Sequence, residues 1–520
     1  MRKNLIISFG FLLLLLVACS TAPKESKSLS EELAIKPNIV LIYVDDLGYA
    51  DVGSYGAIGV KTPNIDRLAE NGLKFTDAHS AAATCTPSRY SLLTGQYAFR
   101  NKAEILPGDA PLLIRPGTPT LPSMLQKAGY KTAVVGKWHL GLGDGNINWN
   151  ESIKPGPNEI GFDYSFLIPA TGDRVPCVYL ENDMVVGLDP NDPITVSYKK
   201  RIANEPTAIL NPEMVAMKAA PDHSQAIING VSRMGYMTGG EKALWVDQEF
   251  PMILTSKAKT FIEENKKNPF FLFFSFHDIH VPRLPNKQFV GKSTMGPRGD
   301  AIAQMDWCTG EIIKTLKANG ISQNTLVIFT SDNGPVLNDG YEDFAVEKLG
   351  DHNPSGPLRG GKYSAFESGT RVPTITYWPG SIQPGISDAM MSQVDIYASI
   401  AALINQPLLE TDAPDSRNVL DAYLGNSKIG RKTMLEESFT LSIREGDWKY
   451  IQPLAKNQNI PSWIIDKKIE SGLSKKAQLY NLSTDIGEQN NVAKSNPELV
   501  KKLDAKLFSI KQSSSIRTKK

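Results

Sequence analysis

Apolar strand segments that end in polar, chemically active side chains recur along this chain, and they restrict its fold more than any other feature. The first, NIVLIYVDD (38–46), is rich in β-branched residues and ends in two carboxylates. Two later segments of this kind, FFLFFSFH (270–277) and TLVIFTSDNG (325–334), follow helical patterns near 252–266 and 300–319. Strands that alternate with helices predict an α/β fold, with a large mixed, mostly parallel sheet flanked by helices.

The sequence pattern changes near residue 430, where short alternating segments replace the long apolar strands. TMLEESFT, SIREGDWKYIQ and QLYNLSTD have the length of short strands, and NPELVKKLDAKLFSIKQ is a helical segment. This pattern predicts a smaller C-terminal antiparallel sheet subdomain over 426–515, packed on a main domain over 37–425. Within the main domain, a Pro/Gly-rich insertion over 145–250 is a natural place for loops that determine substrate specificity.

The N-terminal segment is an export signal rather than part of the fold. Arg2 and Lys3 precede the apolar run LIISFGFLLLLLVA, which predicts a signal peptide over 1–18 that is too short to span a bilayer comfortably. The run leads into LVAC, a bacterial lipobox pattern, so we expect lipidation of Cys19 and a lipidated tether over 19–36. The alternative is an ordinary cleaved signal with an incidental cysteine. The expected location is the bacterial cell envelope, facing the periplasm or on the outer-membrane surface, with membrane contact only through this lipid.

Charge and cysteine content exclude some classes of function. The net charge is +1 and the pI about 7.6, so no overall field attracts the chain to nucleic acid, and we expect no nucleic-acid partner. With Cys19 lipidated, the three other cysteines (Cys85, Cys177 and Cys308) cannot all pair with one another. The sequence leaves open whether Cys177 and Cys308 pair. Cys85 lies in CTPSRYSLLTG (85–95) at a predicted helix start, and its presence there needs an explanation other than a disulfide.

Oxygen ligands collect at the ends of two predicted strands. Asp45 and Asp46 end the first strand, and Asp332 and Asn333 end the strand over 325–334. In parallel sheets the carboxyl ends of strands meet along one edge, where ligand sites form. Three carboxylates and one amide oxygen suit a hard cation, Ca²⁺ before Mg²⁺, whereas the absence of HExxH and CxxC motifs gives zinc little support. Each motif taken alone is also typical of a solvated turn.

Fixed cations and histidines follow strands or lie among glycines. Lys137 and Lys362 occur in GKWHLG and RGGKYSAFESG, where glycine lets the backbone approach a ligand. Together with Arg89, these lysines predict a pocket for a compact anion such as sulfate or phosphate. Three of the six histidines follow apolar strands and are suited to proton transfer: His139, His277 and His280.

Several of these segments resemble the motifs of one enzyme family in their order and spacing. They are PNIVLIYVDDLGYADVGSYG, CTPSRYSLLTG, GKWHLG, FHDIHVPR, SDNG and RGGKYSAFESGTRVP. Over about residues 37 to 510 the chain is similar to type I, formylglycine-dependent sulfatases of the bacterial arylsulfatase and carbohydrate exo-sulfatase kind. The resemblance implies an alkaline phosphatase-like catalytic domain that hydrolyses sulfate esters and releases inorganic sulfate. It also implies that a formylglycine-generating enzyme oxidises Cys85 to Cα-formylglycine (3-oxoalanine), whose hydrate is the nucleophile.

The resemblance also implies roles for the candidate site residues. Arg89 holds the hydrated aldehyde, and Lys137 and Lys362 neutralise the sulfate oxygens. His280, together with Lys362, protonates the leaving oxygen, and His139 deprotonates the remaining hydroxyl to release sulfate. The implied Ca²⁺ ligands are Asp45, Asp46, Asp332, Asn333 and the modified Cys85.

The substrate is indicated less directly. Asp173, Arg174 and His223 in the insertion suit sugar hydroxyls or a carboxylate, although ordinary loop hydrogen bonding explains them equally well. His277 joins them as a substrate contact or as a support for its neighbours. The insertion resembles exo-sulfatases acting on galactose- or N-acetylgalactosamine-6-sulfate, so a sulfated oligosaccharide is the expected substrate. The alternatives are a phosphate or phosphonate monoester hydrolase of the same superfamily and a glycan-binding lipoprotein with a dead site, against which the intact catalytic set argues.

Overall fold

The structure is a computed structural model that describes residues 36–517. The predicted signal peptide, Cys19 and nearly all of the predicted tether lie outside the described residues. Contacts divide the chain into Met1–Lys36 and one larger unit, Pro37–Lys520. No helix within residues 36–517 is long and apolar enough to cross a membrane.

A ten-stranded sheet forms the centre of the larger unit. Its strands are β1 (Asn38–Val44), β2 (Leu73–Phe75), β3 (Lys131–Lys137), β4 (Tyr164–Ile168), β5 (Leu180–Glu181), β6 (Met184–Val185), β7 (Phe270–Ser275), β8 (Thr325–Ser331), β9 (Thr374–Tyr377) and β10 (Gly385–Ser387). Their spatial order is β10-β2-β9-β8-β1-β7-β3-β4-β5-β6, and the five strands from β8 to β4 are parallel. Every residue of β1, β7 and β8 is buried, which requires cover on both faces. The predicted mixed, mostly parallel sheet is confirmed.

The described residues contain ten α-helices, and two groups of three pack around this sheet. The ten helices are α1 (Pro63–Asn71), α2 (Cys85–Thr94), α3 (Leu121–Lys127), α4 (Phe250–Asn265), α5 (Gly296–Ala318), α6 (Glu367–Thr370), α7 (Ile396–Leu403), α8 (Leu420–Tyr423), α9 (Ser462–Asp466) and α10 (Pro497–Gln512). One group contains α1, α4 and α5, and the other contains α2, α3 and α7. Local sequence sets their ends: Thr120 accepts a hydrogen bond from the Ser123 backbone N–H, and the Ser123 hydroxyl accepts one from the Thr120 N–H, so α3 begins with a capping box.

The C-terminal part of the chain forms a separate four-stranded antiparallel sheet, as predicted. Its strands are β11 (Thr433–Glu437), β12 (Leu441–Glu445), β13 (Trp448–Ile451) and β14 (Gln478–Asn481). Helix α10 packs on this sheet, where Leu503 and Leu507 join Leu435, Ile443 and Leu479 in one apolar cluster. The same cluster contains Ala81, Tyr97 and Val394, so the C-terminal sheet and the main domain share this core.

The predicted insertion over 145–250 contains sheet as well as loops. β4 lies within it and extends the parallel part of the central sheet beside β3. The rest holds short strand pairs, Thr195–Ser197 with Tyr236–Thr238 and Ala226–Ile228 with Val231–Arg233, while Ala78–His79 pairs with Met391–Ser392 elsewhere. Cys177 in the insertion and Cys308 in α5 are both buried, free thiols.

Candidate active site

Side chains from four parallel strands converge at the carboxyl-terminal edge of the central sheet. Asp45 and Asp46 follow β1, Asp332 follows β8, Lys137 ends β3, and His280 follows β7. All five side chains are buried. Because parallel strands end at the same edge, the order of strands brings together residues that are far apart in the sequence.

Cys85 is the first residue of α2, at the helix end where backbone N–H groups favour an anion. Its Sγ lies 3.5 Å from Oδ1 of Asp45, and burial raises the pKa of the thiol well above its ordinary value. Gly95 ends the helix in the left-handed conformation, with φ of 62°, which glycine adopts without strain. The encoded thiol occupies the position where the resemblance places the formylglycine side chain.

Arg89 and Lys137 neutralise one side of this cluster. Arg89, one turn beyond Cys85, donates to Oδ2 of Asp332 from Nη2 at 2.8 Å and from Nε at 3.0 Å. It also donates to the carbonyl oxygen of Lys137, whose own ammonium group pairs with Asp45. Burial opposes ionisation of Asp332, but Arg89 and Lys137 hold its pKa below the ordinary value.

Lys362 neutralises the other side, and it also pairs with an aspartate that the sequence did not reveal. The Nζ atom of Lys362 lies 2.9 Å from Oδ2 of Asp46 and 2.9 Å from Oδ2 of Asp339. The hydroxyl of Tyr363 donates to the same Asp339 oxygen at 3.1 Å. Asp339 stands in the stretch LNDGY, which is typical of a surface turn, so no sequence signal separates it from ordinary loop residues.

The acidic residues have the chemistry of a metal site. Ligand atoms of Asp45, Asp46, Cys85 and Asp332 all lie within 4.8 Å of one another. Burial, together with the Asp332 carboxylate, raises the pKa of Asp45, and burial also raises that of Asp46. The Oδ1 atom of Asn333 is buried without a hydrogen-bond partner. A hard divalent cation such as Ca²⁺ fits this set, because it would offset the mutual repulsion of the carboxylates and could be coordinated by the free amide oxygen of Asn333.

Two histidines have one ring nitrogen fixed by a carbonyl oxygen and the other available. Nε2 of His139 lies 2.9 Å from the carbonyl oxygen of Leu106, and its buried Nδ1 has no partner. Nδ1 of His280 lies 2.7 Å from the carbonyl oxygen of Val281, and its Nε2 lies 3.9 Å from Oδ2 of Asp46. Burial lowers the pKa of both rings well below the ordinary value. Each ring is therefore neutral in the free protein and has one nitrogen for proton transfer.

The candidate substrate-binding residues of the insertion form one group. Nε2 of His277 accepts a hydrogen bond from the Gly172 backbone N–H at 2.8 Å, so this ring supports the loop that carries Asp173. Nη1 of Arg174 lies 2.8 Å from Oδ1 of Asp173, and Nε2 of His223 lies 3.5 Å from its Oδ2. The structure thus places His277 under the loop, while Asp173, Arg174 and His223 form a charged group next to it.

Three non-glycine residues of the site have positive φ angles: 60° at Asp46, 54° at His139 and 71° at Tyr363. Such conformations cost free energy and persist where the surrounding structure holds them. Their occurrence at a metal-ligand candidate, at a proton-transfer candidate and beside Lys362 indicates that the fold sets these side-chain directions.

Comparisons with known proteins show the family of this chain. Residues 37–406 match the family model described as Sulfatase. An N-acetylgalactosamine-6-O-sulfatase of Bacteroides thetaiotaomicron is 50% identical over 480 residues, which cover 92% of this chain and 93% of that protein. An N-acetylgalactosamine-6-sulfatase of Rattus norvegicus is 33% identical over 84% of this chain and 76% of its own length.

A solved structure from work on the metabolism of multiple glycosaminoglycans by Bacteroides thetaiotaomicron superposes with a TM-score of 0.90. It is 50% identical, and the match covers 92% of this chain and 100% of that one. The resemblance inferred from the motifs is confirmed. On the family model and the relatives, this chain is a sulfuric ester hydrolase and belongs to the sulfatase family.

Proposed function

We propose that this enzyme removes the 6-O-sulfate from galactose or N-acetylgalactosamine residues of sulfated oligosaccharides. The observation that carries the proposal is the charged group of Asp173, Arg174 and His223 beside the anion pocket. His277 holds the start of this loop, and its ring lies against that of His280, with centroids 5.9 Å apart. Groups suited to sugar hydroxyls therefore border the side of the pocket that holds the proposed general acid. The name of the 50% identical relative supports the same substrate.

The chain's own residues account for anion binding and for protonation of the leaving oxygen. Lys137 and Lys362 supply fixed positive charge from two sides of the pocket. His280 has its Nδ1 fixed by Val281, so its Nε2 is the nitrogen that faces Asp46 and the site. Burial and the two lysines keep the pKa of His280 low, and a bound sulfate favours its protonated form by adding negative charge. His280 and Lys362 then donate a proton to the leaving sugar oxygen.

His139 suits the complementary role of base. Its ring is buried and neutral, its Nε2 is fixed by Leu106, and its Nδ1 is free to take a proton. Formylglycine at position 85, held by Arg89, would supply a hydrated aldehyde, a nucleophile that no encoded side chain provides. Calcium bound by residue 85, Asp45, Asp46, Asp332 and Asn333 would supply Lewis acidity toward the sulfate group.

Maturation and location belong to the same proposal. A formylglycine-generating enzyme oxidises Cys85, and because this thiol is buried in the folded chain, we place the oxidation before folding is complete. Lipidation of Cys19 then anchors the enzyme in the cell envelope, where sulfated polysaccharide fragments arrive. Labelling with a radioactive fatty acid, compared between the parent chain and Cys19→Ala, tests the anchor.

Activity on defined sugars tests the substrate. The chain, co-expressed with a formylglycine-generating system, should release sulfate from galactose-6-sulfate and N-acetylgalactosamine-6-sulfate. We expect rates at least about tenfold lower on the 4-sulfates, on N-acetylglucosamine-6-sulfate and on matched 6-phosphates. Each of these substrates would lose or misplace contacts whose total free energy exceeds that of one hydrogen bond. Equal rates on 4- and 6-sulfates, or faster release of phosphate, would overturn the proposal.

A substitution in the charged group tests the observation itself. Arg174→Ala should raise KM for N-acetylgalactosamine-6-sulfate roughly 10- to 100-fold, the range for a lost hydrogen bond to a charged group. The same change should alter KM for a small aryl sulfate little, because that substrate has no sugar hydroxyls. Arg201→Ala, in an exposed loop of the same insertion where Arg201 donates to Glu205, is the matched control. Equal losses for both substrates would remove Arg174 from sugar recognition.

A further inference from the structure

A groove of about 920 Å³ lies beside the sugar-binding group and has no role in the chemistry described so far. Three stretches of chain line it: residues 219–222 of the insertion, residues 337–338 and 340–347 after β8, and residues around α9 in the C-terminal subdomain. The last stretch includes Trp463 and Lys467. The groove is therefore built from both the central domain and the C-terminal subdomain.

The groove adjoins the catalytic pocket. Asp222, on its lining, lies 2.9 Å from Nδ1 of His223. Gly340, also on the lining, is packed so closely that an added Cβ would lie 2.7 Å from the His223 ring. Asp339, which binds Lys362, comes directly before Gly340. The lining of the groove is therefore in direct contact with His223 and is one residue from Asp339, so the groove lies next to the groups proposed to bind sugar and sulfate.

Lys467 is the one cation among the described residues that line this groove. Its side chain is only 12% exposed, and its Nζ lies 3.6 Å from Oδ1 of Asp339. Asp339 already binds Lys362 more closely, at 2.9 Å. Lys467 thus has a loose contact with a carboxylate whose charge is largely neutralised, and it retains N–H donors for another anion.

The carboxylates on the lining are paired with other residues or solvated, so an anionic group would bind at Lys467. Asp222 pairs with His223, and Asp343 pairs with Arg283 at 2.6 Å, so the ion-pair partner of each carboxylate is a group other than Lys467. The other acidic residues of the lining have exposed side chains and are solvated: Glu342, Glu347 and Asp466. An anion is attracted only where the cation is, at the Asp339 end of the groove.

Aromatic surface completes the groove. Phe344 is 56% exposed on its lining, and Trp463 is half-buried beside Lys467, with the Lys467 Nζ 5.7 Å from the ring centroid. Flat apolar rings suit the C–H faces of a pyranose, and the few polar groups between them fix its orientation. The lining thus combines sugar-stacking surface with one cation.

We propose that this groove binds the sugar next to the sulfated one, and that Lys467 recognises an anionic group on it, a carboxylate or a second sulfate. The inference rests on the proposed function, because it places the sulfated sugar in the catalytic pocket. It makes the C-terminal subdomain part of the substrate site, and it makes the enzyme prefer acidic oligosaccharides over neutral ones carrying the same 6-sulfated sugar.

The test compares three disaccharides with the same 6-sulfated N-acetylgalactosamine at the non-reducing end. The neighbouring sugar is glucose, glucuronic acid or a sulfated glucose, and kcat/KM is measured for each. The parent enzyme should favour at least one of the acidic disaccharides over the glucose form by about tenfold, the effect of one charge-assisted hydrogen bond. Preference for the uronate alone identifies a carboxylate site, and preference for the sulfated glucose identifies a sulfate site.

Lys467→Met should reduce this preference to within about twofold of unity, and Lys467→Arg should retain most of it. Lys468→Met, at the exposed neighbouring lysine, should keep the parent's preference. A preference ratio is unaffected by a uniform loss of active enzyme, and melting temperatures identify a variant that fails to fold. A parent ratio near one, or a ratio that survives in Lys467→Met, overturns the inference. Failure to cleave any of the three disaccharides would instead refute the proposed function.

Discussion

Two of the buried charge clusters in this fold have similar composition but differ in the pKa values of the carboxylates that lie close enough to hold a metal ion. The catalytic cluster consists of Asp45, Asp46, Cys85, Arg89, Lys137, Asp332, Asn333 and Lys362. The other, here called the interface cluster, joins the central domain to the C-terminal sheet and consists of Asp77, His79, Glu367, Arg371, Glu436, Arg444, Lys449 and Glu488.

In the interface cluster, cations outweigh burial at Glu367 and Asp77, whereas burial raises the pKa of Glu488 to about 8. Glu367 lies 3.0 Å from Lys449, 3.1 Å from Arg371 and 3.3 Å from Arg444. Burial opposes its ionisation, but these cations, led by Lys449, hold the pKa of Glu367 below its ordinary value. The pKa of Asp77 is also held low, by Arg444 and Arg371 against the effect of burial.

In the catalytic cluster, burial wins at two carboxylates. The pKa values of Asp45 and Asp46 are raised, and Asn333 has an amide oxygen with no partner. Distance alone does not make this distinction, because Asp77, His79 and Glu367 also lie close enough to hold a metal ion. In the interface cluster, Arg371, Arg444 and Lys449 supply the positive charge next to these carboxylates. An unpartnered oxygen does not make the distinction either, because Oε1 of Glu436 and Oε1 of Glu488 also lack a hydrogen-bond partner. The difference lies in the carboxylates that are close enough to share an ion: the pKa values of Asp45 and Asp46 are raised, so a bound cation would relieve their repulsion, whereas those of Asp77 and Glu367 are already lowered by cations.

The largest difference between the clusters is expected for turnover. Cys85→Ala should lower kcat by at least about 10⁴-fold, the scale of losing a nucleophile. Thermal unfolding should stay close to that of the parent, and Ca²⁺ binding should be retained through the four other proposed ligands. Cys308→Ala, a change of the same kind at a buried thiol in α5, should keep turnover. Turnover of Cys85→Ala within about tenfold of the parent would exclude the proposed nucleophile, as would mass spectra of active enzyme with an unoxidised Cys85.

The interface cluster should dominate stability instead. Glu367→Gln leaves Lys449 and Arg444 short of a buried partner, so we expect a loss of about 3 to 5 kcal/mol in the free energy of unfolding. Urea unfolding measures this loss, and kcat of the folded fraction should change less than about threefold. Unchanged unfolding together with a large fall in kcat would reverse the roles assigned to the two clusters.

Metal binding should separate the clusters in the same way. Added Ca²⁺ should stabilise the parent by about 2.7 kcal/mol at a hundredfold excess over Kd, because the ion offsets the repulsion between Asp45 and Asp46. Calorimetry should show the same gain for Glu367→Gln and none for Asp46→Asn. Mg²⁺ at equal concentration should give a smaller gain, since it demands a more rigid octahedral geometry. A gain that survives in Asp46→Asn would place the ion elsewhere.

The two clusters also differ in how far the sequence predicts them. Asp45 and Asp332 could be predicted because each follows an apolar strand, and strand order then brings them together. Asp339 and Lys467 could not, because each stands in a loop or helix end with no distinctive pattern. The interface cluster was missed for another reason: Asp77 and Lys449 lie in different domains, and only the packing of the C-terminal sheet makes them neighbours. Strand periodicity predicts a sheet edge, whereas contacts between domains depend on the whole fold.

Glu437 connects the clusters and gives the smallest predicted effect. Its backbone pairs with Ala81 and Ala83, just before Cys85, and its side chain accepts a hydrogen bond from the Phe99 N–H at 2.9 Å. No cation faces its carboxylate within ion-pair distance in the described residues, and burial raises the pKa of Glu437 to about 8. The folded chain therefore holds a proton here that the unfolded chain loses near pH 4.5, so this group's contribution to stability falls as pH rises from about 4.5 to about 8.

Glu437→Gln retains the acceptor for Phe99 and never ionises, so it behaves like the protonated parent at every pH. Its melting temperature should match the parent's near pH 5 and exceed it by on the order of 2 °C at pH 8.5. Glu445→Gln, at a glutamate of the same sheet that pairs with Lys502 and Lys506, should give no such gain. A difference for Glu437→Gln that stays constant from pH 5 to 8.5 would mean that this carboxyl is ionised in the folded chain. The segment before Cys85 would then be held by a charged group, as in the interface cluster, rather than by a neutral one.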